Sequence, residues 1–544
     1  MGQPVSSLSS TPYTYKSPLG SFKGTLVLDD KTKKPMCYRF ANIRYALPPT
    51  GDYRWEKPRP VPDDYDYSSY NYEEFGLPCP APHVSNPNID YLNSYTDKSE
   101  DCLYLNIWTP LSAIGKPGET LPVLFYIHGG WLQYGAASQS PIYDPSDLMS
   151  TPNLTSKYII VSAGYRLNAF GFLSGEELGP EVSNFGLWDQ RAALEWTAKN
   201  ISNFGGDPDK ITVSGLSAGS YSTFFQLAYE MYHPQEKQII KQVVHFSNAL
   251  AVQPKDTKET MAQFDEFCDK FGIDKTLDAS TKLSELKKID QHEIVKMIPE
   301  MKLHTFRAVT DDSFISKTLL ADIKSGVYAK KLTDRNIKMI IGQVSNEPPL
   351  YGALNTPSTK SELVIQLENY YPKSTLDDLM EMYYPKDLTE DDPDFQKKLT
   401  DVFGLICADT QVTASTRGYL NNLIKGGFPL SSIHRYHIDF ITKKSKATLA
   451  EHGVLSGVTH GMDQPLWFYA VSATGSIDED ESKCVLEFIK PYTDFICMKG
   501  IDWGTSDIQE VRSFNANGSV TIEKDGYWDE ACEIADRIYD AQLK

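Results

Sequence analysis

Hydrophobic residues along the chain fall into short continuous runs separated by segments of helical periodicity. The runs are rich in β-branched and aromatic residues and predict strands buried on both faces, at 121–128, 158–165, 210–215, 242–248, 337–343 and 433–440. Between them, apolar positions recur at helical spacing, most clearly in 187–200 and 220–232. Because strand and helix patterns alternate, the chain is predicted to form a mostly parallel central sheet covered by helices on both faces.

Helical patterns dominate two longer segments, at about 255–326 and 358–420. No internal repeat or low-complexity linker separates them from the strand-rich parts. We therefore expect a single α/β domain over residues 1–544, in which these two segments are helical insertions that cap one end of the sheet.

Composition narrows the classes of partner. The net charge of −19 disfavours nucleic acid and anionic membranes, which attract positively charged proteins. No apolar stretch approaches the roughly 18 residues of a membrane span. The eight cysteines include no CxxC pair, and no His/Cys cluster has metal-ligand spacing, so no metal or cofactor is expected. Since the first residues lack a secretory pattern, the cytoplasm is the expected compartment and secretion the alternative.

A candidate nucleophile lies in the segment FGGDPDKITVSGLSAGS, residues 204–220. Its centre, Gly215 to Gly219, matches GxSxG with Ser217 in the middle. A strand pattern enters the match and a helical pattern leaves it, as in a nucleophile elbow. Such a turn projects the serine hydroxyl above the sheet, and the Ala218 amide at the helix start faces the place where negative charge would form.

A second glycine turn, HGGWLQYG at 128–135, follows the strand predicted at 121–128. Ester hydrolysis passes through a tetrahedral oxyanion, which needs two or three fixed backbone donors. The amides of Gly130 and Trp131, with that of Ala218, are predicted to form this oxyanion hole. Because only the amide of residue 131 is required, the indole is compatible with the hole and instead fills the space beside it.

Taken together, these segments resemble the type-B carboxylesterase/cholinesterase family of α/β-hydrolases. The serine segment fits that family's signature, and EDCLYLNIWTP at 100–110 fits its second signature. Further similar stretches lie at 40–55, 164–173 and 184–196. The resemblance spans roughly residues 18 to 535 and is thin in the two helical insertions. It implies the α/β-hydrolase fold and a serine ester hydrolase that needs no cofactor or metal.

The resemblance also supplies the other members of a catalytic triad. GQVSNEPP at 342–349 places Glu347 where the family has its acid, and GVTHGMD at 457–463 places His460 where it has its histidine. The chain order Ser, Glu, His is that of α/β-hydrolases. His437 and His452 are rejected because neither lies in the matching segment.

The chain departs from the family pattern at the predicted site. Leu216 stands where the family often has Glu before the nucleophile. Pro348 replaces the usual Gly after the acid, and Trp131 replaces a third Gly. Leu92 stands where cholinesterases have the Trp that binds a cation. Flanking Tyr91 and Tyr95 would contribute less strongly.

The resemblance implies two cysteine pairs, Cys79 with Cys102 and Cys407 with Cys532. Free thiols are the alternative for both, because no secretory pattern is present. We expect Cys79 and Cys102 to be close enough to bond. Cys268 has no nearby partner for the remaining family bridge.

The function expected from the sequence is hydrolysis of small to medium uncharged carboxylic esters through an acyl-enzyme on Ser217. The partner is thus a small-molecule ester, and the sequence does not predict an oligomeric state. A lipase or sterol esterase is the alternative within enzymes. A non-catalytic cholinesterase-like adhesion protein is the alternative of another class.

Overall fold

The computed structural model describes residues 8–83, 97–114, 120–137, 140–250, 252–451 and 457–543. Its strands are β1 (Leu8–Ser17), β2 (Gly20–Asp29), β3 (Pro35–Arg44), β4 (Tyr104–Pro110), β5 (Leu121–Ile127), β6 (Ile159–Ala163), β7 (Gly206–Leu216), β8 (Ile240–Phe246), β9 (Lys338–Val344), β10 (Ile433–Ile438), β11 (Glu510–Phe514) and β12 (Val520–Lys524).

Helices follow most of the inner strands. They are α1 (Ser146–Ser150), α2 (Asn168–Phe172), α3 (Phe185–Asn200), α4 (Ala218–Tyr232), α5 (Met261–Lys270), α6 (Ala279–Lys287), α7 (Gln291–Met297), α8 (Leu319–Ser325), α9 (Val327–Asp334), α10 (Pro348–Gly352), α11 (Lys360–Tyr370), α12 (Lys373–Tyr383), α13 (Phe395–Gln411), α14 (Thr413–Lys425), α15 (Lys443–Glu451), α16 (Gln464–Trp467), α17 (Val471–Thr474), α18 (Glu479–Ile496) and α19 (Trp528–Leu543).

The described strands form one 12-stranded sheet in the order β1-β2-β3-β4-β6-β5-β7-β8-β9-β10-β11-β12. From β6 to β11 each neighbouring pair is parallel. The flanking strands β1 to β4 and β12 pair antiparallel. Every strand predicted from the apolar runs is present, so the α/β-hydrolase fold is confirmed.

Alternate residues of the inner strands pack into different apolar clusters. On β5, Phe125 packs in one cluster and Leu124 and Tyr126 in the other. Both clusters are buried because helices cover both faces of the sheet, as expected where strands read as continuous apolar runs. Burial on both faces stabilises the inner strands, so their carboxyl ends lie side by side at one edge of the sheet.

The outer strands were not predicted. In β1 the residues are exposed or half-buried throughout, and β12 is mostly exposed. Such strands lack the continuous apolar run that marks a strand buried on both faces, and backbone pairing with a neighbour stabilises them instead.

Helices α5 to α8 lie in the segment 255–326, and α11 to α13 in the segment 358–420. A third apolar cluster joins α10 to α13 with Trp131, and so connects the second segment to the turn after β5. That the whole chain is one domain with capping insertions stays a prediction. In the described part of the chain, no helix has the length and apolarity to cross a lipid bilayer.

Candidate active site

Ser217 occupies a strained turn between β7 and α4. Its backbone has φ 58° and ψ −122°, a combination that is uncommon for a residue with a side chain. The Ser217 amide donates to the carbonyl oxygen of Phe246 at the end of β8, at 2.9 Å, and the Tyr221 amide donates to the Ser217 carbonyl at 2.9 Å. The turn is therefore held at both ends and presents its side chain at the carboxyl edge of the sheet.

Close backbone approach explains the glycines around Ser217. A Cβ atom added to Gly219 would lie 2.0 Å from the carbonyl oxygen of Ile127, and one on Gly215 would lie 2.3 Å from Gly219. Any side chain at either position would push α4 away from β5. The GxSxG spacing thus follows from packing, as the sequence indicated.

The turn after β5 lies directly beside this elbow. A Cβ atom on Gly129 would be 3.4 Å from that of Ser217. Gly130 has φ 111° and lies so close to Tyr134 that a side chain would meet the Tyr134 carbonyl oxygen at 2.4 Å. Among the described residues, the amides of Gly130, Trp131 and Ala218 donate to no acceptor. These are the three donors that the sequence proposed for an oxyanion hole.

Trp131 adopts φ 58°, and Leu132 after it φ 66°. The left-handed region favours glycine, so these two residues keep this turn because tertiary packing holds it. The buried indole packs edge-on against Tyr351, with ring centroids 5.5 Å apart, and its centroid lies 6.5 Å from that of His460. It also lines an open cleft with Leu354 and Tyr370.

His460 and Glu347 form a buried pair. Nδ1 of His460 lies 2.6 Å from Oε2 of Glu347, and the Val344 amide donates to the other carboxylate oxygen at 3.2 Å. The Asn346 amide donates to the Val458 carbonyl at 3.0 Å, which ties the loop after β9 to the histidine loop. The two residues that the sequence selected from separate segments thus meet, and a bond to Nδ1 leaves Nε2 as the proton acceptor.

Nε2 of His460 is buried and has no hydrogen-bond partner within the described ranges. The structure places the histidine loop beside the serine elbow, since a Cβ atom on Gly461 would lie 3.3 Å from Cδ2 of Leu216. It does not join Ser217 and His460 by a hydrogen bond. Catalytic hydrogen bonds of this kind are often long without substrate and tighten when it binds.

Asp463 is a second buried carboxylate near the pair. It accepts hydrogen bonds from Nε1 of Trp467 at 2.9 Å and from Nε2 of Gln464 at 3.2 Å. Burial, helped by the nearby charge of Glu347, raises the pKa of Asp463 to about 6, although the hydrogen bonds from Trp467 and Gln464 oppose the rise. Glu347, not Asp463, is the carboxylate bonded to the histidine.

Tyr351 was missed by the sequence analysis. Its ring centroid lies 5.1 Å from that of His460 and 5.5 Å from that of Trp131. Burial raises the pKa of Tyr351 well above its usual value. It follows Glu347 by one helical turn, so the only available signal was the helix that begins at Pro348.

The amino-acid sequence matches the family model described as the Carboxylesterase family over residues 12–519. The chain belongs to the carboxylesterase family. An uncharacterised esterase/lipase of Schizosaccharomyces pombe is 42% identical over 531 residues, 97% of both chains. A carboxylic ester hydrolase of Gibberella moniliformis is 34% identical over 95% of this chain and 94% of the relative. The para-nitrobenzyl esterase of Bacillus subtilis is 31% identical over 58% of this chain and 60% of its own.

The structure of this carboxylesterase explains two of the residues that depart from the family pattern, Pro348 and Leu216. Pro348 is the first residue of α10, a position that proline favours because its fixed φ suits a helix start and its missing N–H is not needed there. Leu216 is buried in the apolar cluster on one sheet face, beneath the histidine loop. The aromatic position near Leu92, with Tyr91 and Tyr95, lies outside the described residues, as does His452. His437 lies within β10 opposite Ser513 of β11, away from the Glu347–His460 pair.

Of the two cysteine pairs expected from the sequence, one is bonded and the other is not. Cys79 and Cys102 form a disulfide. The pairing of Cys407 with Cys532 is wrong in this structure, because both are free thiols that pack in different apolar clusters. Cys407 lies among the tyrosines of α10 to α13, whereas Cys532 is on α19 beside Asp536. Cys268 is free, and no His/Cys/Asp/Glu group in the described ranges could hold a metal ion.

Proposed function

We propose that this carboxylesterase hydrolyses small to medium carboxylic esters through an acyl-enzyme on Ser217. The observation that carries the proposal is the buried bond between Nδ1 of His460 and Glu347. It sets the tautomer in which Nε2 accepts a proton, and it stabilises the imidazolium that forms when it does. A surface histidine would gain neither effect.

In the first half-reaction, Oγ of Ser217 attacks the acyl carbon while its proton passes to Nε2 of His460. The amides of Gly130, Trp131 and Ala218 stabilise the oxyanion that forms. When the tetrahedral species collapses, the bond to the alcohol breaks and the alcohol takes the proton from His460. The acyl group remains on Ser217.

In the second half-reaction, water attacks the acyl-enzyme and gives its proton to Nε2 of His460. A second oxyanion forms in the same hole and collapses to the acid, and Ser217 regains its proton. Each proton moves between His460 and a reacting oxygen, so the scheme requires no metal or cofactor.

The cleft beside Trp131 supports a small to medium substrate. Its lining by Trp131, Tyr134, Leu354 and Tyr370 is the aromatic and apolar wall that is typical of small-molecule sites. Hydrolysis rates for p-nitrophenyl esters of graded acyl length would separate this proposal from a lipase or sterol esterase. We expect an optimum at short or medium chains, and an optimum at long-chain or sterol esters would contradict it.

The cytoplasm stays our prediction for the compartment, with secretion as the alternative. The Cys79–Cys102 disulfide offers a test, since disulfides persist in oxidising compartments. Differential alkylation of the natural protein before and after reduction would show which state it holds.

A fluorophosphonate probe tests the proposal against a non-catalytic adhesion protein. Such a probe phosphonylates only a serine that a neighbouring base activates. We expect one covalent adduct, located on Ser217 by peptide mass spectrometry and absent from the denatured protein. Labelling elsewhere, or no labelling of the folded protein, would contradict the proposed function.

A further inference from the structure

Arg307 is a half-buried cation that no described carboxylate neutralises. Its guanidinium carbon lies 5.3 Å from the ring centroid of Tyr221 and 5.6 Å from that of Tyr370. The fully buried arginines of the described residues have acidic partners, as Arg166 has Asp189 at 2.8 Å, whereas the half-buried Arg512 on β11, like Arg307, has none. Within the described ranges Arg307 forms no ion pair, although the chain carries a net charge of −19.

Arg307 lines a small, open cleft that has the composition of an anion site. Its wall includes Asn248, Thr410, Gln411 and the two tyrosines that flank the guanidinium, and it contains no Asp or Glu. The Thr410 hydroxyl already donates to the Ile406 carbonyl, and the Gln411 amide donates to Tyr371. Arg307, the only formal charge among the lining residues, is therefore the main donor that faces the cleft. An anion in this cleft would meet attraction without repulsion.

Asn248, in the wall of the same cleft, has a buried side-chain oxygen that is not hydrogen-bonded to any described residue. Its side chain is buried, at 3% exposure, yet its amide oxygen has no hydrogen-bond partner among the described residues. A buried polar group left without a partner costs about 1–3 kcal/mol. The atom without a partner is an acceptor, so Asn248 donates to an anion beside Arg307 only when the amide is turned to present its NH₂ group.

The cleft is adjacent to the reacting groups. Tyr221 in its wall lies one helical turn from Ser217, to whose carbonyl its amide donates at 2.9 Å. Tyr370 lines both this cleft and the larger one beside Trp131. The charge of Arg307 also acts on Tyr351, where it opposes the rise in pKa that burial causes. The wall of the cleft thus includes the first turn of α4, the helix that begins directly after Ser217.

We propose that Arg307 binds an ionised carboxylate carried by the ester substrate, on its acyl or its alcohol part. A guanidinium holds a carboxylate through two parallel hydrogen bonds, and the flanking aromatic rings keep it planar and in place. The favoured substrates would then be half-esters of dicarboxylic acids or esters of hydroxy acids. This inference rests on the proposed function. It replaces the uncharged ester that the sequence led us to expect with an anionic one. The presence of Leu92 in place of a cation-binding Trp argued only against cationic substrates.

Matched pairs of esters test the inference. Monoethyl adipate and ethyl hexanoate have the same acyl chain length and differ by an acyl-side carboxylate. The pair 4-acetoxybutanoate and butyl acetate does the same on the alcohol side. For at least one pair, we expect the ratio of kcat/KM for the anionic ester to that for the neutral ester to fall about tenfold or more in Arg307→Met. Arg307→Lys, which keeps the charge without the fork, should give an intermediate ratio.

Arg512→Met is the matched control, because Arg512 is a half-buried arginine on β11, outside the cleft. It should leave the ratios unchanged. If Arg307→Met also leaves both ratios unchanged, the inference is overturned while the proposed function stands. Failure of the proposed function looks different, because the wild type would then hydrolyse neither member of any pair. In that case calorimetry with glutarate decides: binding lost in Arg307→Met supports an anion site, and no binding to the wild type overturns it.

Discussion

Nδ1 of His460 lies 2.6 Å from Oε2 of Glu347 in a site where both side chains are buried. The carboxylate fixes which imidazole nitrogen carries the proton, and burial keeps water from competing for the bond. The carboxylate of Asp463 is also buried nearby but is bonded to Trp467 and Gln464. The two buried acidic residues thus have different partners. Glu347 bonds to the histidine, whereas Asp463 bonds to the neighbouring side chains of its own loop.

Glu347→Gln should lower kcat by orders of magnitude with little change in melting temperature. The amide is nearly isosteric but cannot stabilise the imidazolium, and it favours the wrong tautomer. Asp463→Asn should reduce kcat far less, because the amide oxygen can still accept from Trp467. Steady-state kinetics and thermal melts of the two variants check this, and a reversed order of effects would show that the acid is misassigned.

Trp131→Gly should raise kcat/KM for tert-butyl acetate relative to that for ethyl acetate. The indole packs against Tyr351 near His460, so its removal opens space beside the reacting carbon while the backbone donor remains. Loss of the buried ring should destabilise the protein by about 2 kcal/mol or more, although glycine relieves the positive φ. An unchanged or lower ratio would show that the indole does not limit the pocket.

The stability of Asp463→Asn relative to the wild type should depend on pH. In the unfolded chain an aspartate releases its proton near pH 3.8, whereas burial raises the pKa of Asp463 to about 6 in the folded protein. Between these values the folded state binds more protons, so the wild type loses stability as the pH rises, and the loss persists above pH 6. The Asp463→Asn protein has no carboxyl group at this position, so its stability does not fall in this way.

Urea unfolding at pH 4 and pH 7 measures this effect. We expect the free energy of unfolding of Asp463→Asn minus that of the wild type to be about 2–3 kcal/mol larger at pH 7 than at pH 4. The exposed Asp209→Asn serves as the control and should show little change. An equal difference at both pH values would contradict the raised pKa.

Reduction of the Cys79–Cys102 disulfide should destabilise the protein. The bond closes a loop of 23 residues, which in the chain-entropy account corresponds to about 3 kcal/mol. Cys102→Ser should therefore lower the melting temperature and abolish its dependence on reductant. Cys532→Ser, at a free thiol, should keep that dependence, and a wild type insensitive to reductant would contradict a formed bond.

Much of the fold was predictable because the inner strands are buried on both faces. The apolar run predicted at 121–128 is β5, Leu121–Ile127, and the run at 433–440 contains β10, Ile433–Ile438. The outer strands carried no comparable signal, since a half-exposed strand such as β1 is stabilised mainly by pairing with β2. Short-range pattern does not encode which distant strand will supply that pairing.

Some residues of the candidate site could likewise be predicted from the sequence and others could not. Ser217 could be identified from local pattern, because its turn requires glycines at fixed spacing. Tyr351 and Arg307 could not, since their importance arises from neighbours that are distant in sequence, such as His460 and Tyr221. The pairing of Cys407 with Cys532 failed for a related reason, because sequence position does not reveal that the two face different clusters.

The central claim is that Ser217 is the nucleophile, and the turnover of Ser217→Ala tests it most directly. The control is Ser222→Ala, on the helix α4 that follows Ser217, where a buried hydroxyl accepts from Gln190. The account predicts that Ser217→Ala loses at least about 10³-fold in kcat for ethyl acetate with an unchanged melting temperature, and that Ser222→Ala keeps most of its activity. Retention of more than about a tenth of wild-type turnover by a folded Ser217→Ala protein would contradict it.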